Sequence, residues 1–276
     1  MRRTGFRWDA RRVTARRIRM ATPSSFEFDG DLIAALRDAR FIAVLTGAGI
    51  SAESGLATFR DAQTGLWARF DPRELATPSA FARNPKLVWD WYGWRREHVA
   101  AARPNAGHLA LAELQQRVPE FALITQNVDG LHQRAGSRNP IELHGNITRV
   151  KCSREGAIVR HWDARPDAVP HCANCGALLR PDVVWFGEML LPDALEKAIE
   201  AAESCNVFFS IGTSSVVYPA ADLWRRAKEP GAIVIEINKD PTSLTPRADY
   251  SFLGKAGEIL PVLVQQIWIH ETKRAP

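Results

Sequence analysis

Phe41-Ile-Ala-Val-Leu-Thr-Gly-Ala-Gly-Ile-Ser-Ala52 is the stretch on which the fold turns. Five apolar residues in a row, bounded by glycine, suit a strand buried on both faces of a parallel sheet. Thr46 to Ala52 then satisfy G-x-G-x-x-A, a turn whose glycines let the backbone approach a pyrophosphate at a helix start. Alone the string is weak, because a tight turn with no ligand reads the same way. A strand before it and a helical stretch after it strengthen the reading. No acid ends a second strand ~20 residues on, where a dehydrogenase would hold ribose hydroxyls. The chain instead runs Glu53-Ser-Gly-Leu-Ala-Thr-Phe-Arg60-Asp61, a polar loop with one aromatic. NAD binding is indicated; hydride transfer is not.

Outward from that turn the same pattern repeats. Apolar runs of strand length recur at Ala122-Leu-Ile-Thr125, Val207-Phe-Phe-Ser-Ile211 and Ala232-Ile-Val-Ile-Glu-Ile237. Helical spacing covers Asp29–Arg40 and, roughly, 85–102, 106–117, 192–203, 219–228 and 257–268. Strands alternating with helices predict an α/β fold, a Rossmann-like doubly wound parallel sheet. The interval from about 146 to 182 breaks the alternation. It lacks apolar periodicity, carries three cysteines, and reads as a small inserted lobe held by something other than a core.

Charge is unevenly placed. The 276 residues carry a net +5, but eight arginines and Asp9 give the first twenty residues +7, leaving −2 for the rest. The pI of 9.2 thus belongs to a tail, and a nucleic-acid-binding body, which needs a cationic face, is disfavoured. That tail reads first as an upstream start codon chosen in error, with Met20 the true start. A transit peptide comes second and a nucleic-acid arm third. Lysine is scarce, 7 against 29 arginines, which suits a GC-rich bacterial genome. A cytoplasmic location is expected, mitochondrial if the tail is a transit peptide. No stretch approaches the ~18 apolar residues of a membrane helix, and four cysteines in so long a chain make no disulfide framework.

Six segments in order resemble the sirtuins, NAD-dependent protein-lysine deacylases. They are Gly47-Ala-Gly-Ile-Ser-Ala-Glu-Ser-Gly-Leu-Ala-Thr-Phe-Arg60, Thr125-Gln-Asn-Val-Asp-Gly-Leu-His132, Glu142-Leu-His-Gly-Asn146, Val184-Trp-Phe-Gly-Glu188, Gly212-Thr-Ser214 and Glu236-Ile-Asn238. Ala57 departs from the pattern, where proline is usual. The resemblance spans about residues 30–268. It implies a catalytic domain over 26–270 with an inserted zinc-ribbon-like lobe at about 146–182, a basic extension at 1–25 outside the fold, and a tail at 271–276. It further implies that NAD is a co-substrate, acylated-lysine proteins or peptides are the partners, and the chain is a monomer.

The resemblance implies site residues too. His144 becomes the general base, a role that suits a side chain titrating near neutrality. Asn127 and Asp129 orient the nicotinamide ribose and an attacking hydroxyl. Gly47, Ala48, Gly49, Ser51, Glu53, Phe59, Arg60, Gln126, Gly212, Thr213, Ser214, Asn238 and Ala256 complete the NAD site. On composition alone, Asx residues after a strand are more often turn formers, and a lone histidine is more often a satisfied core residue.

Two features bear on specificity and metal. Tyr92 and Arg95, three apart on a helix and so on one face, resemble the Tyr-x-x-Arg pair of sirtuins that remove succinyl and malonyl groups. An arginine fork and a phenol hydroxyl can pair with a terminal carboxylate, and Ala76 leaves room where deacetylases carry bulk. Acetyl removal is expected as a weaker activity. Cys172-Ala-Asn-Cys175 is a C-x-x-C, but its expected partner, Cys152-Ser-Arg-Glu155, lacks a second thiolate. Cys152, Cys172 and Cys175 are therefore expected to hold a structural zinc, with Glu155, His161 or His171 open as the fourth ligand. Two functions compete with this one, a mono-ADP-ribosyltransferase on the same fold and a non-enzymatic regulator that senses NAD and binds DNA through the Arg-rich tail.

Overall fold

An all-apolar strand must be covered on both faces, and Phe41–Thr46 lies in the middle of a parallel sheet with helices on each side. The computed structural model describes residues 17–20, 28–56, 71–163 and 167–268. In chain order the elements are β1 (Arg17–Met20), α1 (Gly30–Asp38), β2 (Phe41–Thr46), α2 (Pro72–Leu75), α3 (Pro78–Arg83), α4 (Pro85–Ala101), α5 (Ala106–Arg117), β3 (Glu120–Thr125), α6 (Leu131–Arg134), β4 (Ile141–Glu142), β5 (Gly145–Cys152), β6 (Ile158–Val159), β7 (Leu179–Val183), α7 (Pro192–Ser204), β8 (Val207–Ile211), α8 (Leu223–Lys228), β9 (Ile233–Asn238), β10 (Tyr250–Leu253) and α9 (Ala256–Trp268). Among the described residues no helix is long and apolar enough to cross a membrane.

The large sheet runs β1-β10-β9-β8-β2-β3-β4, every pair parallel. Alternation along each strand divides the core in two. Ile42, Val44, Phe209, Ile235 and Ile237 pack with Leu32 of α1, Leu111 of α5 and Leu263 of α9. Ala43, Leu45, Phe208 and Val234 pack against Ala198 of α7 and Ala227 of α8. The strand order reverses between β2 and β8. In open α/β sheets ligands bind at such a switch, beyond the carboxyl ends of the strands. Four residues of the stretch expected to stand outside the fold, Arg17–Met20, add in parallel to β10. Backbone pairing at an open sheet edge is indifferent to side chains.

The second unit is a three-stranded antiparallel sheet, β6-β5-β7. The reading of a lobe without a core needs correction. Ile147, Val150, Leu179 and Val183 share a buried cluster with Phe81 of α3 and Val88, Trp91 and Tyr92 of α4. So α2 to α4, distant in sequence, supply the apolar face that the lobe itself lacks. The inward charges are paired. Asp182, 5 % exposed, accepts from Arg149 Nε at 2.9 Å and pairs with Lys151 Nζ at 3.3 Å. The antiparallel β5–β7 pair forms the neck, where Val184 N donates to His144 O at 2.9 Å. Gly145 has φ +80, and a Cβ there would stand 2.2 Å from Asp182 O, so only glycine lets the two chain passes close.

Candidate active site

The turn after β2 is not followed by the helix the sequence suggested. Ala48–Ile50 and Ala52–Ser54 form two short 3₁₀ turns instead. Its glycines meet another loop. A Cβ on Gly47 would lie 2.8 Å from Gly212 O, and one on Gly49 2.7 Å from Gly212 Cα. Gly47 N donates to Ile211 O and Gly49 N to Gly212 O, at 3.0 and 2.8 Å. The loops after β2 and β8 are thus laced together at the switch point, a contact that needs glycine on both sides. Asn105, the N-cap of α5, fastens the far end of the turn by donating to Ile50 O (2.7 Å) and Ser54 Oγ (3.0 Å).

Gln126 joins three segments. Its N–H donates to Thr46 O at 2.9 Å, its side chain donates to Thr213 Oγ1 at 3.0 Å, and its carbonyl accepts from His144 Nδ1 at 2.9 Å. A carbonyl can only accept, so Nδ1 carries the proton and Nε2 of the neutral ring keeps its lone pair. Burial pulls the His144 pKa below its ordinary value against the opposing Gln126 hydrogen bond. The imidazole is therefore neutral at physiological pH, in the tautomer that a base acting through Nε2 requires.

Asn127 and Asp129, 9 % and 7 % exposed, converge on Ser51. Asn127 Nδ2 donates to Gly47 O and to Ser51 Oγ, both at 3.1 Å, while Ser51 Oγ donates to Asp129 Oδ2 at 2.7 Å. Asp129 Oδ1 accepts from Leu131 N at 2.9 Å, which fixes the carboxylate at the start of α6. Two buried histidines that the sequence reading gave no role back this network. His108 Nε2 is 3.4 Å from Ser51 Oγ, and His132 Nε2 is 2.9 Å from Thr46 Oγ1. Burial pushes them down to about 4 and about 3. Only the quoted segment ending in His132 could have signalled either, and His108 lies in a helix with no motif.

The remaining expected NAD contacts surround the same edge. Gly212, Thr213 and Ser214 follow β8, and Asn238 ends β9 with its side chain donating to Asp240 O at 2.8 Å. Glu53 accepts from Gly257 N at 2.9 Å, placing its carboxylate at the start of α9 beside Ala256. Ala48 lies inside the first 3₁₀ turn. Phe59 and Arg60 fall outside the described residues.

Tyr92 and Arg95 share one face of α4, with the guanidinium 5.7 Å from the Tyr92 ring centroid and 4.9 Å from that of Trp91. Burial raises the Tyr92 pKa and lowers that of Arg95; Tyr92 and Asp129 pull Arg95 back up, so Arg95 sits within electrostatic reach of Asp129. Val184-Trp-Phe186 touches each expected participant in turn. Val184 N binds His144 O, Trp185 Nε1 donates to Tyr92 Oη at 3.0 Å, and Phe186 N donates to Ala76 O at 2.9 Å. Ala76 is buried, with no bulk beyond its methyl.

In the lobe, one ligand atom each from Cys152, Glu155, Cys172 and Cys175 lies within 4.8 Å of the others. Donors around a zinc at about 2.3 Å stand roughly 3.8 Å apart, so three sulfurs and a carboxylate oxygen fit a structural zinc. Of the three candidate fourth ligands, Glu155 alone joins the cluster. His171 Nδ1 instead donates to Gly176 O at 2.8 Å.

Residues 47–219, spanning both the switch-point loops and the lobe, match the Sir2 family. The chain belongs to the Sir2 family. The Sir2 assignment extends over most of its length. It is 53% identical over 232 residues to the NAD-dependent protein deacylase 2 of Pyrobaculum aerophilum, covering 84% of this chain and 93% of that one. Its fold matches a Sir2 homologue–NAD complex with a TM-score of 0.82 at 49% identity, over 87% of this chain and 94% of the other. A mutant Sir2 homologue bound to 2′-O-acetyl ADP ribose matches with a TM-score of 0.83 at 48% identity, over 90% of this chain and all of the other.

Proposed function

We infer that this Sir2 protein is an NAD-dependent protein-lysine deacylase, and we propose that it removes succinyl and malonyl groups in preference to acetyl, releasing nicotinamide and O-acyl-ADP-ribose. NAD supplies the activated ribose carbon that takes the acyl oxygen as nicotinamide leaves. His144 Nε2 accepts the proton of a ribose hydroxyl, with Nδ1 anchored on the Gln126 carbonyl. Asn127 and Asp129, tied to each other through Ser51, orient that ribose. The glycine-laced loops at the switch point receive the pyrophosphate and adenosine.

The acyl preference rests on one observation, an arginine and a phenol side by side where α4 packs on the apolar cluster of the lobe. A guanidinium cannot lose its proton there and is stabilised by an anion, so a carboxylate-ended acyl chain suits it better than a methyl-ended one. Phe186, Met189 and Leu191 on one loop and Val216, Val217 and Tyr218 on another are exposed and offer an apolar border for the peptide that carries the lysine. The same reading keeps the protein a cytoplasmic monomer whose folded body binds no nucleic acid.

The test is incubation with NAD and acetyl-, succinyl- and malonyl-lysine peptides, following nicotinamide and acyl-ADP-ribose by mass spectrometry. Arg95→Met is expected to lower desuccinylation about 100-fold, the weight of a buried charge pair, and deacetylation far less. Equal loss on both peptides defeats the acidic-acyl assignment.

A further inference from the structure

Trp185 is 2 % exposed and its Nε1 stands 3.0 Å from the Tyr92 oxygen. An indole nitrogen only donates, so the phenol oxygen is the acceptor of that bond, and its single proton has no hydrogen-bond acceptor among the described residues. Burial keeps that proton on, by raising the Tyr92 pKa. The charged groups around Tyr92 are Arg95, Arg180 and Glu188. The two guanidinium groups donate only. Glu188 is engaged elsewhere, accepting from Arg180 Nη1 and Nη2 at 2.6 and 2.9 Å and from Trp185 N at 2.8 Å.

The indole is held in this orientation. Arg180 Cζ lies 3.3 Å from its ring centroid, Phe81 packs 5.3 Å away, and the backbone N–H of Trp185 is bound to Glu188. Resting on the acidic-acyl reading, we propose that Trp185 is a specificity-determining positioning residue: its N–H turns the Tyr92 hydroxyl into a committed donor facing the acyl group. The acyl end then meets two kinds of donor, Tyr92 O–H and the Arg95 fork. A succinyl or malonyl carboxylate accepts from both. An acetyl methyl leaves a buried hydroxyl proton without an acceptor, a penalty that discriminates more strongly than the added room of the pocket.

The experiment compares KM and kcat for succinyl- and acetyl-lysine peptides in the wild type, Arg95→Met, Trp185→Phe, Tyr92→Phe and the Trp185→Phe/Tyr92→Phe double variant. Trp185→Phe is expected to raise KM for the succinyl peptide about fivefold, roughly one hydrogen bond, with a smaller change in kcat, and to lower the succinyl-to-acetyl ratio of kcat/KM equally. In the Tyr92→Phe background the same substitution should leave that ratio within about twofold. Equal losses on both peptides, or the same change in ratio with and without the phenol, overturn the assignment. A succinyl preference that depends on Arg95 yet survives Trp185→Phe overturns the role of Trp185 alone. A wild type that removes acetyl as readily as succinyl overturns the acidic-acyl reading and this assignment with it. Should the phenylalanine variant fail to fold, replacing the Trp185 indole by its benzothiophene isostere exchanges the N–H for sulfur within the same rings, and the same ratio decides.

Discussion

The two units of this Sir2 protein are held by opposite means. Around the large sheet the site is built mostly from neutral contacts, with glycine against glycine, Asn127 and Gln126 on hydroxyls and carbonyls, and two histidines kept uncharged by burial. Its carboxylates Asp129 and Glu53 are met by hydroxyl and backbone donors rather than by cations. The smaller unit relies on charge and thiols. Arg180 clamps Glu188, Arg149 and Lys151 flank Asp182, and three cysteines with Glu155 lie close enough together to hold one metal. A unit with a small apolar core relies more on ion pairs and a metal. The units meet at His144–Gly145, so the base stands on the seam.

That contrast can be broken at the seam or on either side. His144→Ala should lower every acyl removal by a factor of about 1,000 or more, measured as acyl-ADP-ribose formed. Substantial residual turnover would remove it as the base. Gly145→Ala should cost about 3 kcal/mol in a thermal melt, since it adds a clash to a strained φ. Gly136→Ala, with φ +98 and nothing within 4 Å of its Cβ, should cost about 1 kcal/mol. Equal penalties would mean that the seam is not closely packed.

Acid should attack the large unit. His108 and His132 are neutral when folded, at about 4 and about 3, whereas in the unfolded chain they take up protons near the usual 6.5. Below 6.5 the unfolded chain holds more protons, so stability is full above that pH and falls as pH drops towards 4. At pH 5 the loss is about 2 kcal/mol for each histidine, visible as a lower melting temperature than at pH 7.5. An unchanged melt would mean that these rings are not buried as neutral groups. A chelator should act on the other side, lowering hydrogen-exchange protection in β5 and β7 before β2 and β8. Purified protein should contain close to one zinc per chain, and Glu155→Ala should weaken its retention about tenfold. Retention as strong as in the wild type would exclude Glu155 as a ligand.

Much of this was legible in the chain. The runs at Phe41, Ala122, Val207 and Ala232 became β2, β3, β8 and β9, β8 unchanged and the others shifted by one or two residues at one end or both, because a strand covered on both faces has few compositions open to it. Leu179-Arg-Pro-Asp-Val183 was not legible. All five residues are buried, yet two carry charges whose partners, Glu188, Arg149 and Lys151, lie 8 to 33 residues away. The attachment of α3 and α4 to the lobe was hidden for a similar reason. An apolar helix face shows that it is buried, not against what.

By itself the sequence determined the fold class, the family, and the residue types gathered at the carboxyl edge of the sheet, because periodicity and short motifs are local properties. Only the tertiary structure decided that the glycines serve loop-to-loop contact. It also settled that His144 presents Nε2, that Glu155 rather than His161 or His171 completes the cysteine cluster, and that Trp185 reaches the Tyr92 oxygen. Each of these is a distance between atoms far apart in the chain, and hydrogen-bond direction and ligand sets are functions of such distances.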